Sequence, residues 1–398
     1  MRRSGASIVR ANPSSPAKSM KLFKCQSCGN IVYFENVSCE VCGHRLAYRP
    51  TQTEMTAIEP LGDNWWKPLN APEQRRLLCV NAGHGVCNWF VPDETTDAFC
   101  LACRHNRTVP DLSAPGNLAA WQALEMAKHR LFYSLIRLNL PLTTFIENPQ
   151  RGLSFEFLAD TAPKGAPKVM TGHDNGNIII ALAEADDAER EKRRLAMGEP
   201  YRTLLGHFRH EIGHYYWDVL VRDGGRLEAC RAMFGDDGQD YGEALQRHYK
   251  DGAPPDWQSN YVSQYASAHP WEDFAETWAH YIHIVDTLEM VAASGMSVRP
   301  KVDDSGDFAA KVTFDPYRAD TIEQVVDAWL PYVFAMNNVN RSMGARDLYP
   351  FVLSPGVIRK LGFIHELVHD RARPGREPAT SLADALLGSL LPWKRKAS

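Results

Sequence analysis

Two histidines four residues apart with a carboxylate between them, His210-Glu211-Ile212-Gly213-His214, form the stretch of this 398-residue sequence best suited to chemistry. On an α-helix, positions i and i+4 lie one above the other, so both imidazoles can face a single ion while Glu211 stands beside the water that ion would hold. Zinc lowers the pKa of a bound water to about 7, and a neighbouring carboxylate can take its proton as the hydroxide attacks a polarised carbonyl. The chemistry implied is metal-assisted hydrolysis with Glu211 as general base. Gly213, just before the second histidine, leaves room for a neighbouring backbone or ligand.

A hydrolytic zinc takes three protein donors and keeps a fourth position open, so one donor must come from elsewhere. The segment His269-Pro270-Trp271-Glu272-Asp273-Phe274-Ala275-Glu276 offers His269, Glu272, Asp273 and Glu276 within two helical turns. Pro270 is well placed to start a helix. On it Glu272 and Glu276 share a face. Glu272 is the expected third ligand, and Glu276 the expected acceptor for the free N–H of a ligating imidazole, which fixes the tautomer and raises basicity. His207, one turn before His210, is expected beside the ligands.

Eight of the nine cysteines fall in two groups of four. Cys25-Gln26-Ser27-Cys28 and Cys39-Glu40-Val41-Cys42 are two knuckles whose thiolates can close a tetrahedral zinc site of the ribbon type. In so short a segment the metal supplies most of the folding energy, on the order of 10 kcal/mol. Cys79, Cys87, Cys100 and Cys103 form the second group; His84 or His105 is available to replace a thiolate, but four cysteines already close a site. Cys230 reads as a small buried apolar side chain.

The elements that must position these groups follow from periodicity. Leu118 to Leu140 carries apolar residues at helical spacing and stops at Pro141; Ile178 to Leu182 is a β-branched strand after a turn at Gly176-Asn177. Helices are expected from Ala185 to Met197, from near Tyr201, after Pro270, and from Ile322 to Met343. The expected organisation is a disordered tail at 1–19, a zinc ribbon at 20–50, a linker at 51–70 anchored by Trp65-Trp66, and a second zinc-binding module of four cysteines at 71–112. A catalytic domain at 113–372 and a tail at 373–398 complete it. The fold class is α+β.

A formal charge of −4 over this length argues neither for a dedicated polyanion binder nor for a strongly acidic chain. Residues 1–112 hold thirteen Lys or Arg against ten Asp or Glu, and the first fifty hold eight against two, which permits a nucleic-acid contact without demanding one. No apolar run suits a signal peptide or a membrane span, and clustered cysteines suit a reducing compartment, so a cytoplasmic protein is expected.

His210-Glu211-Ile212-Gly213-His214 followed by Glu272-Asp273-Phe274-Ala275-Glu276, whose first glutamate lies 58 residues beyond His214, resembles the gluzincin class of metallopeptidases, including lethal-factor-like enzymes. That resemblance implies Glu272 as ligand and an upstream tyrosine that stabilises the tetrahedral intermediate. Tyr265 stands there, with Tyr261 as the alternative. The knuckles, Cys87-Asn88-Trp89, the run from Tyr201 to Arg209 and His269-Pro270-Trp271-Glu272-Asp273 resemble, more closely, a bacterial family of zinc-binding metallopeptidases with an N-terminal zinc ribbon. The likeness covers nearly the whole chain after Met20. It implies a zincin-like fold, one catalytic and two structural Zn2+ ions, and a protein or peptide substrate, with the ribbons available to a protein or nucleic-acid partner. By analogy Ile178 to Leu182 is the cleft-edge strand; periodicity alone allows a buried central strand equally.

A second match to the same pattern, His365-Glu366-Leu367-Val368-His369, has no paired carboxylates or further histidine after it and reads as packing. Two further functions stay open beside an active peptidase: a binding module whose zincin core has lost turnover, and a protease associated with nucleic acid.

Overall fold

The computed structural model describes residues 22–92, 98–160, 169–196 and 202–370. The expected tails at 1–19 and 373–398 lie outside these residues, as do Arg2, Arg3, Arg10, Lys18 and Lys21, five of the eight basic residues in the first fifty.

Strands β1 (Leu22–Lys24) and β2 (Ile31–Tyr33) form an antiparallel hairpin that carries the first knuckle between them. Four further strands, β3 (Arg45–Arg49), β4 (Glu54–Gly62), β5 (Trp65–Pro68) and β6 (Arg76–Leu77), make an antiparallel meander. Residues 51–70 are therefore mostly strand and not a linker. Asp63 and Asn64 both take positive φ, 48° and 63°, which suits a tight hairpin turn. Pro60, which reads as a breaker in sequence, sits where the β4–β5 register shifts, one of the few places a sheet tolerates proline.

The two cysteine groups are not separate modules either. Tyr48 of β3 donates its N–H to the Asn88 carbonyl and accepts from Phe90 N–H, so the second group is stitched onto the meander. Tyr48, Phe34 and Trp89 form an aromatic cluster that reaches Tyr133 of helix α1 (Asn117–Arg137), with Phe34 and Tyr133 ring centroids 5.4 Å apart.

A second sheet has the order β7-β8-β10-β9, from β7 (Asn106–Thr108), β8 (Ser154–Leu158), β9 (Gly172–Asp174) and β10 (Asn177–Ala181). β7 belongs by sequence to the second cysteine module yet pairs with β8, so the expected boundary at 113 does not divide the structure. β10 runs parallel to β8 on one side and antiparallel to β9 on the other. The strand expected at the cleft edge is thus an inner one, its Ile178 and Ile180 fully buried, and among the described residues β7 and β9 are the edges, β9 being the one beside β10. Three residues are too few to show a period, which is why β9 was not visible. Asn175 and Gly176, both at positive φ, turn β9 into β10.

The helices follow: α2 (Asp187–Ala196), α3 (Leu204–Tyr216), α4 (Leu227–Phe234), α5 (Tyr241–Asp251) and α6 (Pro270–Ala293). A short ribbon, β11 (Ser297–Val298) with β12 (Ala310–Lys311), precedes α7 (Ile322–Ser342) and α8 (Pro355–Asp370). α6 is the central helix: Phe274, Trp278 and Ile282 are fully buried, each such burial worth about 1.5–3 kcal/mol. It packs on α3 at a close crossing. A Cβ on Gly213 would stand 3.0 Å from Ala275 Cα and 3.3 Å from Trp278 Cβ, so the glycine admits the α6 backbone. Buried ion pairs pin the same helices, Arg209 of α3 to Asp286 of α6 at 2.6 Å and Arg137 of α1 to Glu289 of α6 at 3.2 Å. Among the described residues no helix is long and apolar enough to cross a membrane.

Candidate metal centre

α3 starts where Thr203 caps it, the hydroxyl accepting from Gly206 N–H at 3.0 Å. From that start His210 and His214 face α6. α6 is itself phased by Pro270 at its first turn and by His269 as cap, whose Nδ1 accepts from Trp271 N–H at 3.1 Å. This phase turns Glu272 and Glu276 toward α3. The atoms that meet are His210 Nε2, His214 Nε2 and Glu272 Oε2, spaced 3.2, 3.1 and 3.6 Å apart. Around an ion bound at 2.0–2.1 Å, tetrahedral corners stand about 3.3 Å apart. The donor set fits zinc in type and spacing.

Hydrogen bonds support the same fit. His210 Nδ1 lies 2.8 Å from Glu276 Oε1, a carboxylate that can only accept, so the ring proton sits on Nδ1 and Nε2 offers its lone pair. Ser263 Oγ donates to the other oxygen of Glu276 at 2.6 Å. Glu272 is 1% exposed, and its Oε2 has no hydrogen-bond partner, a costly state for a buried carboxylate unless a cation takes the lone pair. Burial pushes the Glu272 carboxyl up, but His214 and His210 hold it well below the usual range. His214 packs its ring on Trp271 at 3.8 Å.

The other three candidates for third donor are engaged elsewhere. Asp273 takes Lys360 Nζ at 2.5 Å, and burial pushes its carboxyl up to about 7 in spite of that partner. His269 caps α6 and directs Nε2 toward the Gln239 carbonyl at 3.3 Å. Glu276 holds His210. His207, expected beside the ligands, lies instead 3.1 Å from Glu184, in a cluster with Arg193 and Arg202. One turn back on α3, its side chain falls over the strand-and-α2 side of the helix and misses the ion-facing pair.

Tyr265, in a short helical turn at Tyr265–Ala268, has its ring centroid 6.0 Å from that of His210. Tyr261 lies under Lys360 Nζ, 4.2 Å from its ring, and belongs to the Asp273 side. Glu211 is half-buried; burial, then Glu272 and to a smaller degree Glu211, push the Tyr241 phenol up. Tyr241, at the start of α5, was not singled out by sequence: its hydroxyl donates to Glu272 Oε1 at 2.6 Å and shares a hydrogen bond with Tyr265. Nothing local marks it among fourteen tyrosines. His173 on β9 was missed too; its ring stacks on His214 with centroids 6.1 Å apart.

The second histidine pair sits on α8 around a phenol. Tyr281 Oη is 3.0 Å from His365 Nδ1 and 3.4 Å from His369 Nε2. Among the described residues no third donor joins them. In the first cysteine group Cys25 and Cys42, and Cys28 and Cys39, have sulfurs 3.6 Å apart, and in the second Cys87 and Cys100 are 3.7 Å apart. Zinc with 2.3 Å bonds sets sulfurs about 3.8 Å apart. His105 is buried elsewhere, its Nδ1 3.0 Å from the Leu153 carbonyl, and His84 lies against Trp121. Cys230 is buried on α4, where burial pushes its thiol up to about 12.

Comparison with known proteins agrees with this layout. Proteins of Mycobacterium bovis and of two strains of Mycobacterium tuberculosis, each bearing only the name "Uncharacterized protein" and a locus label, are 40% identical over 365 residues, which is 91% of this chain and 99% of theirs. No solved structure matches. A zinc-ribbon domain matches residues 22–114, spanning both cysteine groups as one unit. The family described as "Putative zinc-binding metallo-peptidase" matches residues 117–367, and the chain belongs to it.

Proposed function

We propose that the chain is a zinc metalloendopeptidase of the gluzincin type, with His210, His214 and Glu272 as ligands. The observation that supports this most is the meeting of three donor atoms from α3 and α6 at 3.1–3.6 Å, one of them a buried carboxylate oxygen with no other partner. Zinc, when bound, supplies a Lewis acid that polarises the scissile carbonyl and acidifies water. Glu211 takes the proton of the attacking water and passes it to the leaving amine. Tyr241 occupies Glu272 Oε1, so that Oε2 is the donor, and Glu276 keeps the His210 proton on Nδ1. Tyr265, whose O–H is given to Tyr241 at rest because the Tyr241 proton is held by Glu272, turns that O–H to the developing oxyanion. An extended peptide adds to the β9 edge through its main chain, which brings its carbonyl past His214. The two cysteine groups hold structural zinc, for three ions per chain.

The test compares wild type with Glu211→Gln, both first shown by metal analysis to hold equal zinc, on a peptide library with new N-termini read by mass spectrometry. Loss of a general base costs about 10²- to 10⁴-fold. Cleavage by wild type alone is expected. Equal cleavage by both proteins, or none by the zinc-loaded wild type, counts against the reading and favours a binding module without turnover.

A further inference from the structure

A histidine that belongs to neither cysteine group by sequence faces the second one. His129 of α1 is fully enclosed, and its Nε2 stands 3.3 Å from Cys87 Sγ, 3.9 Å from Cys100 Sγ and 3.8 Å from Cys103 Sγ. Its Nδ1 lies 2.7 Å from the Glu125 carbonyl oxygen one turn earlier. A carbonyl can only accept, so Nδ1 carries a proton, and a ring that holds that one proton aims its Nε2 lone pair at three sulfurs. Around an ion with 2.3 Å bonds to sulfur and 2.0–2.1 Å to nitrogen, a sulfur and a nitrogen at tetrahedral corners stand about 3.5 Å apart. The observed distances bracket that value. Cys79 lies with the other three cysteines in a group whose sulfurs are all within 4.8 Å of one another. Of the Glu125 carboxylate, Oε1 accepts from Asn106 at 2.6 Å, Lys128 at 2.9 Å and Trp121 at 3.2 Å, while Oε2 lies 3.9 Å from Cys103 Sγ and 3.5 Å from His129 Nδ1, so this oxygen also borders the site.

We infer that His129 is a fifth donor to the second zinc site, able to take the corner that Cys79 otherwise fills. Cys87, Cys100 and Cys103 form the shared face, with Cys79 and His129 as alternative fourth ligands. The site is then a clasp between the ribbon and α1, the helix whose Phe132 packs through Phe155 against Phe208 of α3, two residues before His210.

Metal content tests this without reference to cleavage, so its failure is distinct from failure of the peptidase reading. Full-length wild type, Cys79→Ser, His129→Ala and the double variant are dialysed against a competing chelator and their zinc counted. Each single variant is expected to keep the wild-type count and the double variant to lose one ion per chain. After cobalt exchange, Cys79→Ser should lose one thiolate's share of the sulfur-to-cobalt absorption, with its d–d bands shifted by the imidazole, and the shift should vanish in the double variant. The inference is overturned if Cys79→Ser alone loses the ion, or if the double variant keeps it. Should Cys79→Ser fail to fold, Cys79→Ala replaces it; failure of both while His129→Ala folds makes Cys79 indispensable and overturns the inference equally.

Discussion

Replacing Tyr241 by phenylalanine removes one oxygen that no motif identifies, and the consequence can be worked out from its single strongest contact. The phenol donates to Glu272 Oε1 at 2.6 Å, and Glu272 is 1% exposed. A hydrogen bond to a charged group contributes about 1.5–3 kcal/mol, and water has poor access to replace it here. Part of that energy orients the carboxylate so that Oε2, not Oε1, meets the two imidazoles. If the whole of it is lost from the zinc-bound state, affinity for the catalytic ion falls about 10- to 100-fold, the range found when partners of metal ligands are removed. The assay is a competition titration with a fluorescent chelator, in which the two cysteine-bound ions serve as internal standards because Tyr241 touches neither. Tyr265→Phe is the control: that phenol bonds Tyr241 and not Glu272, so on the proposed reading its loss should lower kcat and cost less zinc affinity than the loss of the Tyr241 hydroxyl. An affinity for Tyr241→Phe within twofold of wild type would refute the reasoning, and so would an equal loss of zinc in Tyr265→Phe.

Further outcomes follow from the same geometry. Glu272→Ala should reduce zinc from three ions to two without unfolding the ribbon, whereas His365→Ala, whose ring bonds Tyr281, should leave the count alone; metal analysis of both checks the choice between the two motifs. Gly213→Ala should lower stability by about 1–3 kcal/mol in a denaturant titration, since overpacking at the 3.0 Å approach to Ala275 outweighs the better helix propensity of alanine; unchanged stability would mean that the crossing is looser than described. The Glu184 carboxyl, raised by burial but held down at about 2 by His207, Arg202 and Arg193, contributes stability above its ordinary value of 4.5 and loses it as pH falls toward 2. Glu184→Gln should therefore flatten the acid limb of a stability-versus-pH curve in that window, and an identical limb would rule the cluster out as its source.

How much of this was legible depends on the distance over which each fact is encoded. The His210–His214 pair needs only one helical turn. The choice of Glu272 over Asp273 needs the start of α6: with Pro270 in the first turn and His269 capping, a 100° step per residue turns Asp273 away to Lys360 while Glu272 and Glu276 face α3. Tyr241 lies 31 residues from its partner and His129 lies 42 from Cys87, and neither carries a local mark, because their meaning exists only once α5 and α1 are docked. Residues 51–70 look like a linker because Thr and Pro are frequent there, but Pro60 falls where the β4–β5 register shifts and does not end the strand. The error over the cleft edge came from reading a well-patterned strand as exposed: the apolar run of β10 is what burial on both sides demands, and an edge as short as β9 has no pattern to offer. The same dependence on packing bears on the second motif. Spacing alone brings His365 and His369 together as surely as His210 and His214, and what differs is the element packed opposite: for α8 it presents the Tyr281 phenol, while for α3 the same helix, about two and a half turns earlier, presents the Glu272 carboxylate.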